Sequence, residues 1–150
     1  MQMKCMITGH RPEKLPQDVS LLKLKLLEEL TSLPAGSRVL LGAARGVDTW
    51  AARICERYGI PYEAYVPFKG VDSRWSENDR LAFQRTCFYA DHIKVCYDSP
   101  SKDAFLGRNR MMAEDADCGI AVWDGEFRSG TAAAVRALQK LEKPVTVISV

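Results

Sequence analysis

The amino-acid sequence predicts an α/β protein, a parallel sheet of about six strands with helices on both faces. Short apolar runs alternate with longer helix-patterned stretches along all 150 residues. Three of the apolar runs stop at turns rich in glycine and polar residues: Gly9-His10-Arg11, Gly42 to Asp48, and Asp124 to Thr131. In parallel sheets such turns share the carboxyl edge, where ligands bind near the point at which the strand order reverses.

Lys4-Cys5-Met6-Ile7-Thr8 reads as the first strand, ending at Gly9-His10-Arg11-Pro12. Leucines at 22, 26, 30 and 33, with 21, 24 and 27 beside them, predict a buried helix over 18–33 that Pro34-Ala35-Gly36 stops. Arg38 to Leu41 is the second strand, and Gly46 to Tyr58 the helix behind it. Gly59-Ile60-Pro61 turns the chain into a third strand, Tyr62 to Val66, which Pro67 is expected to break. Phe68 to Trp75 reads as a polar loop, after which Ser76, with Asp79 three positions on, opens a helix running to about Ala90. Ile93 to Tyr97 is the fourth strand, followed by a polar stretch over 98–102 and a helix to Ala116. The fifth strand, Gly119 to Trp123, leads through Ser129-Gly130-Thr131 into an alanine-rich helix ending near Leu138, and residues 144–150 close the sheet. One domain, 1–150, is expected, without repeats or low-complexity tracts.

Composition narrows the function classes. A formal charge of +2 is too small to argue for nucleic acid by itself, and 47% hydrophobic residues suit an ordinary soluble chain. Five scattered cysteines without a Cys-x-x-Cys pair, and two distant histidines, predict small buried thiols in a reducing cytosol and no metal site. No transmembrane run or signal-like segment is present, so a cytoplasmic protein without a membrane partner is expected.

The glycine turns admit two readings. Glycine lets a backbone turn tightly and approach a ligand closely, and the free N–H groups opening the next helix point at any arriving anion. Yet any strand-to-helix turn uses glycine, so a single turn can equally be structural. The spacing fits neither the Walker A motif nor Gly-x-Gly-x-x-Gly, which disfavours an ordinary ATPase or dehydrogenase.

Together the three turns, Thr8-Gly9-His10-Arg11-Pro12, Gly42-Ala43-Ala44-Arg45-Gly46-Val47-Asp48 with Ala51-Ala52, and Asp117 through Ser129-Gly130-Thr131, resemble the SLOG superfamily of Rossmann-like proteins. That group includes the DNA-processing protein A family and the LONELY GUY phosphoribohydrolases, and the nearest likeness is to its small YspA-like or YpsA-like members. The resemblance implies that Gly42, Arg45, Gly46 and Asp48 line a phosphate and ribose site, with Ser129, Gly130 and Thr131 holding the same ligand from the other side. It also sets Arg108 where the phosphoribohydrolases carry an arginine. Their glutamate is replaced by Ala134, which leaves Asp124 or Glu126 as substitute carboxylates for any cleavage of a glycosidic bond.

Other residues keep alternatives. Asp48 could accept from ribose hydroxyls or from N–H groups in the first turn of its own helix. His10 could be an acid/base or phosphate contact, or merely solvated. Arg11 and Arg45 suit forked phosphate contacts. Trp75 and Trp123 could stack on a base, with Trp123 equally a core residue, whereas Tyr62, Tyr65, Phe83, Phe88 and Tyr97 read as core. Gly125 belongs with Trp123 and Asp124 in the second glycine turn. The reading that results is binding or sensing of a nucleotide or nucleotide-derived ligand, with no other cofactor expected. The alternatives are a phosphoribohydrolase-like enzyme and a single-stranded nucleic-acid module, and a homodimer is compatible with the sequence.

Overall fold

The computed structural model describes residues 2–150. Its elements follow one another as β1 (Lys4–Gly9), α1 (Ser20–Thr31), β2 (Arg38–Leu41), α2 (Val47–Tyr58), β3 (Tyr62–Phe68), α3 (Glu77–Tyr89), β4 (His92–Tyr97), α4 (Asp103–Asp115), β5 (Cys118–Trp123), α5 (Gly130–Lys140) and β6 (Val145–Ser149), with a short 3-10 turn at Pro12–Lys14. The strands form one six-stranded sheet in the order β4-β3-β2-β1-β5-β6, and every pairing is parallel.

Strand alternation divides the core into two layers. Cys5 and Ile7 of β1 with Val39 and Leu41 of β2 face one side, where Leu22, Leu26 and Leu30 of α1 and Val47, Ala51 and Cys55 of α2 cover them. Met6 and Leu40 face the other side and meet Met112 and Ala113 of α4 and Ala134 and Leu138 of α5. Each large aliphatic side chain fully buried here contributes roughly 1.5–3 kcal/mol.

Local signals explain the element ends. The Ser76 hydroxyl accepts from the Asp79 N–H, so the predicted cap of α3 forms. The α1 leucines at 22, 26 and 30 are the buried ones, while Leu21 and Leu24 remain exposed. Pro67 does not break β3, which continues to Phe68. The physical reason is position: β2 pairs with β3 only as far as Ala64, so beyond that point the strand has a free side where a residue without an N–H is tolerated. Phe88 is not core either. It lies 79% exposed at the end of α3, in edge-to-face contact with Tyr89, whereas Tyr62 and Tyr65 are buried and Phe83 packs against the core.

The five cysteines are free, Cys5 and Cys55 buried and the others half-buried. Among the described residues no helix is long and apolar enough to cross a membrane.

Candidate functional site

The strand order reverses between β1 and β5, and the turns that leave β1, β2 and β5 all emerge at the carboxyl edge beside that point. They enclose a crevice of about 550 Å³ that reaches from the β1 turn to the start of α5. Five cationic side chains line it, Arg11, Lys14, Arg45, Arg108 and Arg128, against two carboxylates, Glu13 and Asp48. The remaining walls come from Ser129, Gly130 and Thr131 on one helix and from Phe105, Leu106 and Asn109 on another.

At the α5 end the protein leaves donors unused. Ser129 is the N-cap, and its hydroxyl accepts from the Ala132 N–H while the Ala133 N–H bonds the Ser129 carbonyl. The N–H groups of Gly130 and Thr131 take no acceptor among the described residues, and a Cβ at Gly130 would meet nothing within 4 Å. Open space, free N–H groups and the positive end of the helix thus coincide.

Gly9, Gly42 and Gly46 behave differently, because the space of their missing side chains is filled by the protein itself. A Cβ at Gly9 would lie 2.5 Å from Val47, one at Gly42 would lie 2.5 Å from Nη1 of Arg108, and one at Gly46 would lie 2.6 Å from the His10 carbonyl oxygen. The first glycine turn therefore packs the β2–α2 connection onto the β1 turn and onto Arg108. Gly46 is outside the crevice lining, while Gly9 and Gly42 belong to it.

Arg108, on α4, is the buried cation of the site. Its Nη1 donates to the Gly42 carbonyl at 2.8 Å and the Tyr65 carbonyl at 3.2 Å, and its Nε donates to Asn109 Oδ1 at 3.0 Å. Nη2 has no partner among the described residues and Arg108 belongs to the crevice lining. The planar fork joins three segments of chain at the crevice floor, which a lysine could not do.

Asp48 is buried beside it without a direct ion pair. Its Oδ2 accepts from the Ala44 N–H at 3.0 Å and the Gly42 N–H is also directed at the carboxylate, so Asp48 holds the preceding loop rather than the first turn of its own helix. That loop contains Ala43 at φ 57, a left-handed conformation that a non-glycine residue adopts only when its surroundings impose it. Burial pushes the Asp48 carboxyl up from the ordinary 3.8 to about 6, with the Arg108 charge opposing the rise. A raised folded-state value means that the folded protein binds this proton more tightly. Its contribution to stability is full below about pH 4 and is lost as pH rises through about 6, amounting to at most about 3 kcal/mol. Denaturant midpoints of wild type relative to Asp48→Asn are accordingly expected to fall between pH 4 and 6.5. A parallel pair of curves would contradict the burial of this group.

His10, the residue after β1, is 3% exposed and so not solvated. Its Nε2 lies 3.2 Å from the Asp124 N–H and 3.0 Å from Asp124 Oδ1, bridging the β1 and β5 turns at the reversal point. The neutral ring accepts from the N–H, and the Nε2-protonated ring donates to the carboxylate. Asp124 and Glu126 themselves are not among the residues that line the crevice: Asp124 Oδ1 accepts from the Glu126 N–H and Glu126 Oε1 from the Arg128 N–H, which shapes the turn. Hydrogen bonding to the Glu126 N–H and then the His10 charge hold the Asp124 carboxyl below its usual range. Ala134 is fully buried in the apolar layer beneath α5.

The tryptophans do not reach the crevice. Trp123 Nε1 folds back to donate to the Glu126 carbonyl, and Trp75 stacks edge-to-face on Phe83. Gly125, at φ 88, only turns the chain between them and α5. Arg11 does reach it and lies 5.9 Å over the Phe105 ring, whereas Arg45 is engaged by Glu13 at 2.5 Å and Asp79 at 3.8 Å. Phe105, Asn109, Lys14 and Arg128 were not singled out from sequence. The spacing of Phe105, Asn109 and Met112 on one face of a helix that begins beside the carboxyl edge was the available signal.

Comparison with known proteins agrees with this architecture. Residues 5–149 match the model of the YspA SLOG family. A UPF0398 protein of Bacillus anthracis is 26% identical over 151 residues, covering 89% of this chain and 81% of the relative. Among solved structures, DNA processing protein A of Helicobacter pylori, described for its single-stranded DNA binding mode, superposes with a TM-score of 0.69 at 22% identity. DNA processing protein A of Streptococcus pneumoniae does so with 0.71 at 20% identity. Nearly all of this chain, 97%, is covered in both, yet it spans only 65% and 50% of those two chains, so the likeness is one of fold.

Proposed function

The chain belongs to the YspA SLOG family, and we propose that it binds a nucleotide or nucleotide-derived ligand in the crevice at the β1–β5 reversal point. The observation that carries the proposal is the convergence of five cations with the unsatisfied N–H groups of Gly130 and Thr131 in one crevice of about 550 Å³. Phosphate supplies acceptors for all of them, and a volume of this order suits a small ligand. The carboxylates proposed for glycosidic cleavage, Asp124 and Glu126, support the turn instead, so the reading is of binding rather than hydrolysis.

Calorimetry of the purified chain with nucleoside monophosphates tests this, alongside mass spectrometry of small molecules released on denaturation. Saturable binding is expected, and Thr131→Val, which keeps the volume and removes the hydroxyl beside the helix start, is expected to weaken it about tenfold. Absence of binding, or equal affinity in the variant, would remove the proposal.

A second reading, a module for single-stranded nucleic acid, is supported by the fold shared with the Helicobacter pylori protein and by the basic rim. An oligonucleotide that binds far more tightly than its mononucleotide, with a steep loss on adding salt, would favour it.

A further inference from the structure

The sheet ends at β4, which pairs only with β3, and the protein does little to close that edge. Edge strands are ordinarily kept from further pairing by a proline, a bulge or an outward charge. The six residues of β4, His92-Ile93-Lys94-Val95-Cys96-Tyr97, include no proline and keep an unshifted register with β3. Their one lysine turns inward: Lys94 Nζ lies 3.9 Å from Asp115 Oδ2 of α4 and 5.5 Å from the centre of the Tyr65 ring. On the opposite face Ile93 and Val95 are 51% and 52% exposed, although Ala64, which pairs with Ile93 on β3, is wholly buried. An open ladder thus coincides with an uncovered apolar pair.

The backbone decides what can add to this edge. The Asp91 N–H donates to the Tyr62 carbonyl, and bonding residues alternate along a parallel ladder, so Asp91, Ile93, Val95 and Tyr97 direct their backbone groups to β3. His92, Lys94, Cys96 and Asp98 direct theirs away from the sheet. An antiparallel neighbour must set outward residues against outward residues, so a second copy of β4 related by a two-fold axis has to be centred on a residue, not between two. Centred on Ile93 it would oppose His92 to Lys94, and centred on Lys94 it would oppose two lysines. Centred on Cys96 it would bring His92 to Pro100, which has no N–H to give. Only Val95 is free of these conflicts. There His92 faces Asp98 on both sides of the axis, and Val95 meets its own copy with an Ile93 on either flank. Among the described residues neither His92 nor Asp98 has an ion-pair partner in its own chain, so both are available.

We infer that a second copy of this chain adds to β4 in the antiparallel sense about Val95, joining two six-stranded sheets into one. A strand of another protein could use the same ladder, but the copy supplies the His92–Asp98 complement twice by symmetry. No residue of β4 lines the crevice, so both crevices stay open and the inference is independent of what they bind.

Sedimentation velocity of the full chain over a concentration series tests this, on wild type and on variants whose melting curves establish folding. Wild type is expected to dimerise with a dissociation constant on the order of 10 μM. Val95→Lys, which sets two like charges on the axis, should weaken the dimer at least about tenfold, whereas Val147→Lys on the opposite edge strand, β6, should leave it unchanged. His92→Asp should weaken it about tenfold by facing carboxylate with carboxylate, and adding Asp98→Lys in the same chain should restore it. A wild type that stays monomeric to about 100 μM would overturn the inference and leave the edge to a strand of another protein. A dimer that survives Val95→Lys, or that Val147→Lys dissolves, would place the interface elsewhere. A dimer that Val95→Lys dissolves but that ignores the His92 and Asp98 exchange would overturn the register about Val95.

Discussion

Gly46→Val is expected to destabilise the fold by at least about 3 kcal/mol, lowering the melting temperature by roughly 6–12 °C, before any effect on a ligand is considered. Gly46 sits at φ 85 and ψ −122, a region closed to residues with a side chain. A Cβ there would also press to within 2.6 Å of the His10 carbonyl oxygen and 3.2 Å of the Arg11 Cα, both backbone atoms that no rotamer change can move. Because the Cβ alone makes these contacts, Gly46→Ala should be nearly as harmful as the valine. Gly125 provides the comparison: it has φ 88 but nothing within 4 Å of a Cβ, so Gly125→Ala should show the conformational strain alone, about 1–2 kcal/mol. Thermal melts of the two alanine variants decide the matter. If Gly46→Ala melts with Gly125→Ala, the close packing of the β1 and β2 turns is wrong.

That contrast shows where sequence reading reaches its limit. A glycine between an apolar run and a helix announces a turn and a missing side chain, and the placement of Gly9, Gly42 and Asp124 at the carboxyl edge follows from the strand alternation. What fills the vacated space is a tertiary fact. At Gly46 it is the chain's own backbone and at Gly42 a guanidinium carried 66 residues further on, while Gly125 and Gly130 have open space. The helix and strand pattern was legible because apolar periodicity directly reflects burial. Pro67 misled because its tolerance depends on how far β2 extends beside β3, and Trp123 because its indole finds a carbonyl three residues away. Arg108 entered through family likeness. Its two carbonyl partners, Gly42 and Tyr65, lie on other elements and leave no local trace in the sequence.

The Arg108–Gly42 contact makes the second large prediction, since two unlike substitutions should damage the same interaction. Arg108→Met keeps most of the stem but leaves the Gly42 and Tyr65 carbonyls without their shared donor, an expected loss of roughly 1–3 kcal/mol. Gly42→Ala acts from the opposite side: its Cβ would lie 2.5 Å from Nη1, 2.8 Å from Cζ and 3.2 Å from Nε of Arg108. The guanidinium is the movable partner, so it should be displaced and the same hydrogen bonds forfeited, at a similar loss. Once Arg108 is methionine the fork is gone, and the alanine meets a flexible thioether instead. The double variant should therefore be about as stable as either single one, giving a coupling of roughly 1–3 kcal/mol in a double-mutant cycle measured by denaturant unfolding. Nucleotide affinity should follow the same pattern, because both substitutions withdraw the same cation from the crevice floor. Additive losses in the cycle would mean that Gly42 serves the backbone turn alone and that Arg108 is held by Tyr65 and Asn109 without it.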